Sequence, residues 1–293
     1  MISLPLNPAA IPANIPRTTK LRFIIALCVC ALLFSAHLVV NQRYPVPDVQ
    51  TALPKQRFAY VTYVTSEEYV CTTLVMFDSL LAAGKRKDVD LVALVTQGIS
   101  VNSTARIEGL GARIVKVDVI RTLRGDETWK ESLTKMFAFK LIEYERIILM
   151  DADGIILKPL DFLFDLPPYF LYAPRAYWLS DVTLTSILYV IQTSEALYTT
   201  QYDILKAAEA ISKPVYDMDI ANEAFAKTAA LLPNGIAILN GDFKRSPSVK
   251  APSHLFWNVS RLAEEVKYVH WSESPMGNLG VDQKASFIAI AQL

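Results

Sequence analysis

Cysteine is scarce and charge of either sign is in no excess, and each shortage removes a class of protein. The 293 residues contain three cysteines, Cys28, Cys30 and Cys71, and the first two fall inside an apolar N-terminal run. One thiol is left for the remainder, so no disulfide can form within it. A lone cysteine in an apolar periodic stretch is expected to be buried. Lys and Arg together number 29, as do Asp and Glu, for a formal net charge of zero. A protein that tracks phosphate backbones needs a basic excess, so no nucleic-acid partner is expected. Internal repeats and low-complexity runs are also missing. What is plentiful is apolar: 52% hydrophobic residues, ample for one large domain or two small ones.

Residues 1–20 are Pro-rich and aperiodic and read as a cytosolic tail. From Phe23 to Val40 there is no formal charge, and only Ser35 and His37 interrupt the run. That length is near the minimum for crossing a hydrocarbon core of about 30 Å. A cleaved signal peptide would carry an apolar region of roughly 7–15 residues and a small-x-small site, for which Phe34-Ser35-Ala36 is poor. The expectation is therefore an uncleaved signal-anchor over 21–40. Arg17, Lys20 and Arg22 precede it and only Arg43 closely follows, which places the N-terminus in the cytosol and the rest in the lumen. Residues 41–57, with Pro45, Pro47 and Pro54, read as a stiff stem, and 58–293 as one lumenal domain. Asn102-Ser-Thr and Asn258-Val-Ser match the glycosylation pattern, which matters only if that domain is lumenal.

At Phe58 alternating β-formers begin, followed by the polar loop Thr65–Tyr69 and a helix over Val70 to Leu81. A strand at Asp90–Thr96, a helix around Ser103 to Leu110 and a strand after Gly111 come next. Apolar strands separated by helices argue for parallel pairing with right-handed crossovers, and ligands in such sheets bind beyond the carboxyl ends of the strands. There the strand Arg146–Met150 runs into Asp151-Ala152-Asp153. Alternation puts both carboxylates on one face, where they repel unless a divalent cation such as Mg²⁺ or Mn²⁺ neutralises them. A polar turn capping a buried strand is the simpler alternative. The segment Trp129–Glu145 has helical spacing and would project Lys135 and Lys140 to solvent. Asp217 or Asp219 would cap a helix over Ile220–Lys227.

From Phe58 to about Pro275 these pieces resemble glycosyltransferase family 8, the glycogenin-like group, and within it the fungal membrane-anchored N-acetylglucosaminyltransferase-like members. The resemblance is carried by Ala59-Tyr-Val-Thr-Tyr-Val-Thr with Tyr69, Leu133-Thr-Lys135, Tyr144-Glu-Arg-Ile-Ile-Leu-Met-Asp-Ala-Asp, Pro174-Arg-Ala-Tyr-Trp178, Tyr216-Asp-Met-Asp-Ile-Ala-Asn222 and Val269-His-Trp-Ser. It implies an α/β fold of the GT-A, nucleotide-diphospho-sugar transferase type, with a mostly parallel central sheet flanked by helices. It further implies retaining, Mn²⁺-dependent transfer from a UDP-sugar, UDP-N-acetylglucosamine in the subgroup, to a glycan acceptor by a type II protein of the Golgi membrane. Residue by residue, Tyr63, Thr65 and Tyr69 match positions that hold the uracil ring, and Lys135 one that contacts the donor. Asp151 and Asp153 match ligands of metal and ribose, and His270 matches the third metal ligand. Asp217 matches a carboxylate near the transferred sugar, and Asn222 a partner in the same motif. Retention could proceed through a carboxylate nucleophile or by front-face attack.

One departure stands out. The family's histidine is followed by a Lys-Pro-Trp segment whose lysine grips the diphosphate, whereas here the chain reads Pro275-Met-Gly-Asn-Leu-Gly-Val-Asp-Gln-Lys284. A non-catalytic or weakened UDP-sugar-binding protein with the same fold is the alternative this leaves open, and a cytosolic glucan-priming protein is a third, opposed by the Phe23–Val40 run.

Overall fold

The computed structural model describes residues 57–179, 182–241 and 265–271. The expected tail and anchor, the stem up to residue 56, Asn258 and Lys284 lie outside them. Among the described residues no helix is long and apolar enough to cross a membrane.

Among the described residues ten strands form two sheets. In the larger, β1 (Phe58–Val64) lies between β2 (Val89–Thr96) and β4 (Arg146–Met150), with β3 (Ala112–Val117) outside β2, all parallel. Their side chains are buried on both faces over most of β1, β2 and β4, as continuous Val/Ile/Leu/Tyr runs require. The crossovers are α1 (Glu68–Ala82) and α2 (Val101–Glu108). Ser100 caps α2 by accepting the Ser103 N–H at 3.2 Å, and Glu67 adds a second acceptor through the Ser100 N–H at 2.6 Å.

Beyond β4 the sheet turns mixed. β7 (Leu188–Ile191) pairs antiparallel with both β4 and β6 (Leu171–Pro174), and β6 pairs parallel with β8 (Ala230–Leu232). The antiparallel insertion brings the start of β7 to the carboxyl end of β4. The smaller sheet is β5 (Gly154–Ile156), β10 (Tyr268–His270) and β9 (Ala237–Leu239), with β10 in the middle. Two further helices, α3 (Glu195–Ala210) and α4 (Asp217–Phe225), cover the second half.

Three expectations are corrected. The segment expected as a helix from Trp129 is a 3₁₀ run over Ser132–Lys140, in which Leu133, Lys135, Met136, Ala138 and Phe139 are all buried. With apolar and polar side chains buried on several sides, no single amphipathic stripe exists, and packing against the sheet and α3 overrides the helical spacing. Cys71 is exposed, because α1 turns Val70, Thr72, Thr73, Met76 and Phe77 inward and leaves position 71 outside that face. The helix expected at Ile220 begins three residues earlier.

Arg146 opens β4 with its guanidinium buried, donating to the carbonyls of Phe164 at 2.8 Å and Pro167 at 3.1 Å, and also to Leu166. Those carbonyls end the 3₁₀ turn Asp161–Asp165, so one side chain closes a segment that makes few backbone bonds of its own. Arg146→Met should destabilise the fold by roughly 1–3 kcal/mol through orphaned carbonyls. A lower urea midpoint at unchanged slope is the expected reading, and an unchanged midpoint would show that the carbonyls find water instead.

Candidate active site

The carboxyl edge of the parallel strands collects the end of β1 at Thr65, the turn after β2 at Thr96, Gln97 and Gly98, and the segment after β3 from Asp118. These line a cavity of about 390 Å³, completed by Val119, Arg121 and Glu131. Thr65 receives the Thr96 hydroxyl on its carbonyl at 3.1 Å, tying the two strand ends together at the cavity wall.

Next to it β4 delivers Asp151. Its Oδ1 lies 2.6 Å from the Lys135 ammonium, and the same ammonium lies 2.6 Å from Oδ2 of Asp217. Lys135 also donates to the Ser186 carbonyl at 3.3 Å and sits 5.3 Å from the centre of the Tyr63 ring. Its side chain is only 3% exposed. Burial alone would lower its pKa, but the Asp151 and Asp217 charges outweigh burial and hold the ammonium protonated well above the ordinary lysine range. Burial would likewise raise Asp217, yet Lys135 together with the Ser186 and Ser132 side chains holds it below the usual carboxylate value.

The second half of the centre comes from the small sheet. β10 runs antiparallel to β5 with His270 opposite Gly154, so the imidazole reaches the turn after β4. His270 Nε2 stands 3.2 Å from Asp153 Oδ1 and 3.5 Å from Asp151 Oδ2. Asp151, Asp153 and His270 form a group whose ligand atoms all lie within 4.8 Å of one another. Burial raises Asp151 and is only partly offset by Lys135 and His270. For Asp153 burial is outweighed by the His270 charge and hydrogen bond, so it is held low, and His270 is correspondingly pushed up despite its own burial.

These groups fit a divalent cation. Two carboxylates and an imidazole make a mixed O/N donor set. Asp151, Asp153 and Asp217 against Lys135 leave three minus one, or two, negative charges while His270 is neutral, which a dication balances. His270 also has its Nδ1 buried with no hydrogen-bond partner among the described residues, so only Nε2 is committed to the centre.

The other expected residues fall around this core. Tyr69 is half-buried in the first turn of α1, and burial followed by the Asp153 and Asp151 charges pushes its phenol up to about 12. Tyr63 is pushed higher still, by burial and then Asp151. Asn222 stands apart: its amide accepts the Leu184 N–H at 2.8 Å and donates to the carbonyls of Leu184 at 2.9 Å and Met218 at 2.8 Å. It is a clasp between α4 and the segment before β7, with its amide taken up by backbone. Neither aspartate is the expected N-cap, since the helix starts at Asp217 with Tyr216 as its N-cap; Asp219, in the third helical position, accepts the Tyr216 N–H at 2.9 Å, while Asp217 faces Lys135.

Tyr268 and Gly154 are members of the site that sequence reasoning missed. The fully buried Tyr268 lies across Gly154 and donates its hydroxyl to the Asp151 carbonyl at 3.0 Å, while the Trp271 N–H bonds the Asp153 carbonyl at 2.9 Å. Strand alternation was the available signal, since it puts Tyr268 on the same face as His270.

No protein-family model matches the chain. A Gibberella zeae protein named Glucose N-acetyltransferase 1 is 29% identical over 239 residues, 75% of this chain and 52% of its own length. One of the same name from Aspergillus fumigatus is 31% identical over 244 residues, 75% of this chain and 64% of its own. The chain thus spans between about half and two thirds of these curated relatives. Among solved structures, galactosyltransferase LgtC, in complex with donor and acceptor sugar analogues, matches with a TM-score of 0.58 at 15% identity, covering 80% of this chain and 95% of its own. The resemblance read from the sequence holds: the chain is related to these fungal proteins, and its fold is that of a GT-A-type glycosyltransferase.

A methyl added at Gly154 would lie 2.3 Å from the Tyr268 ring, so Gly154→Ala must displace that ring and with it the Asp151 turn. It should destabilise the protein by roughly 1–3 kcal/mol by overpacking and weaken divalent-cation binding, whereas Tyr268→Phe should lose only about 0.5–1.5 kcal/mol. Thermal unfolding with and without cation checks both.

Proposed function

We propose that the chain is a glycosyltransferase that moves a sugar, N-acetylglucosamine on the subgroup's pattern, from a UDP-sugar to a glycan acceptor with retention at the anomeric carbon, using Mn²⁺. The observation that carries this is the convergence of Asp151, Asp153 and His270 from two sheets at the carboxyl end of β4, with Lys135 and Asp217 adjoining. A protein that merely capped a strand with Asp151 and Asp153 would have no reason to bring a histidine from β10 to the same point.

Asp151, Asp153 and His270 would hold the cation, whose chemistry is to stabilise charge building up on the departing diphosphate. Lys135 bridges Asp151 and Asp217, holding Asp217 below the usual carboxylate range and partly offsetting the rise that burial gives Asp151. Asp217, held ionised and aimed inward, is suited to stabilise positive charge at the sugar or to orient its hydroxyls. Tyr63, Thr65 and Tyr69 stand at the strand end where the base would lie. The anchored, type II topology in the Golgi membrane belongs to the same proposal and is supported by the charge asymmetry around the apolar run at Phe23–Val40. The sequence departure after His270 favours a second reading, a protein that binds UDP-sugar without transferring it.

UDP release from a panel of UDP-sugars by the purified chain with Mn²⁺ tests this. Release that favours one sugar is expected, and Asp151→Asn with Asp153→Asn should reduce it by about 10²–10³-fold or more. Metal-dependent UDP binding without release, even with mixed glycan acceptors, would select the second reading, and no UDP binding would sink both.

A further inference from the structure

Between β3 and the 3₁₀ run, residues 118–131 make a loop with only one short turn, Glu127–Trp129. Its neck is closed by the Ile120 N–H on the Thr134 hydroxyl at 3.0 Å and the Thr122 N–H on the Lys130 carbonyl at 3.0 Å. One flank of this loop, Asp118, Val119, Arg121 and Glu131, is a wall of the cavity, stiffened by the Arg121–Glu131 ion pair. The other flank is gripped by three successive residues at the start of α4. The Val215 N–H points at the Thr122 hydroxyl at 3.4 Å, the Tyr216 hydroxyl accepts the Asp126 N–H at 2.6 Å, and the Asp217 N–H points at the Ser132 hydroxyl at 3.4 Å.

Tyr216 is the tightest of the three contacts. Its ring meets Trp129 edge-on with centroids 5.9 Å apart. It also lies so close over Gly125 that an added Cβ there would come within 2.2 Å of the phenolic oxygen, and Gly125 has φ of +123°, open to glycine and rarely to other residues. A glycine with two separate reasons to be glycine, seated under one hydroxyl, makes this contact a built one. Tyr216 is not among the residues that line the cavity.

We infer that Tyr216 is a positioning residue that sets the cavity wall from behind, so that nucleotide affinity depends on a hydroxyl that never touches the nucleotide. The inference rests on the UDP-sugar reading. It also gives the Tyr216-Asp217 pair a joint purpose: one residue places the loop, and its neighbour places a carboxylate against Lys135, so wall and reactive centre share one helix start.

The test is calorimetric titration of UDP into the full chain with Mn²⁺, comparing wild type with Tyr216→Phe. The phenylalanine ring keeps the edge-on contact with Trp129 and loses the hydroxyl over Gly125 that accepts the Asp126 N–H. Binding should weaken roughly 3- to 10-fold, the equivalent of one neutral hydrogen bond, with the melting temperature within about 2 °C of wild type and Mn²⁺ affinity unchanged. If turnover is measurable, the donor KM should rise by a similar factor at unchanged kcat. Equal UDP affinity in the two proteins overturns the inference and leaves the UDP-sugar reading standing. A loss of affinity that only tracks a fallen melting temperature overturns it as well, by making Tyr216 a stability residue. A wild type that binds no UDP overturns the inference together with the reading beneath it.

Discussion

The buried ammonium of Lys135, 2.6 Å from a carboxylate on each side, is the contact on which the rest of the site depends. Three elements meet there: the 3₁₀ run, the end of β4 that soon follows it, and the start of α4 much later in sequence. Taking a lysine out of water costs several kcal/mol, and a pair of good ion pairs does no more than offset that cost. The arrangement is therefore poor as a device for stability. Its return is geometric: Asp151 and Asp217 cannot both remain ionised in a buried space without a cation between them, and with it their separation is fixed by one nitrogen.

That demand explains the local irregularity around it. An α-helix over Ser132–Lys140 would keep a stripe toward solvent, whereas the 3₁₀ run turns Lys135 inward along with Leu133, Met136 and Phe139. The antiparallel β7 serves the same centre, since reversing its direction brings Ser186, whose carbonyl accepts a hydrogen bond from Lys135, to the carboxyl end of β4. The small sheet answers a second demand, delivery of a nitrogen ligand. β10 carries His270 to the turn and Tyr268 to its backbone, so ligand and scaffold arrive on one strand.

The parallel half of the fold was legible because its signals are local: alternating or continuous apolar strands, crossover helices and a capping serine before α2. Asp151 and Asp153 were legible for the same reason, since a strand must place both on one face. Lys135 was named only through the family resemblance, because its helical spacing suggested a solvated face and only the tertiary packing reveals burial. Asp217 and Asp219 were equivalent candidates for a helix cap, and what separates them is the position of Lys135, which no local pattern contains. Cys71 erred in the opposite direction, where an apolar neighbourhood in sequence did not make the position an inward one. Gly154 and Tyr268 illustrate the general limit: each is unremarked alone, and their meaning lies in the 2.3 Å that a methyl would leave between them.

Charge balance then decides what such a centre can accept. With Lys135 shared by two carboxylates and His270 neutral, the three acidic groups leave the centre with two negative charges. An anionic diphosphate brought to that point unaccompanied would be repelled, and low-dielectric surroundings would strengthen the repulsion. A dication held by Asp151, Asp153 and His270 would balance those charges, which is what the proposed diphosphate donor would need at this point. Asp153 holds the pKa of His270 up, so a cation taking that nitrogen would compete with a proton for it.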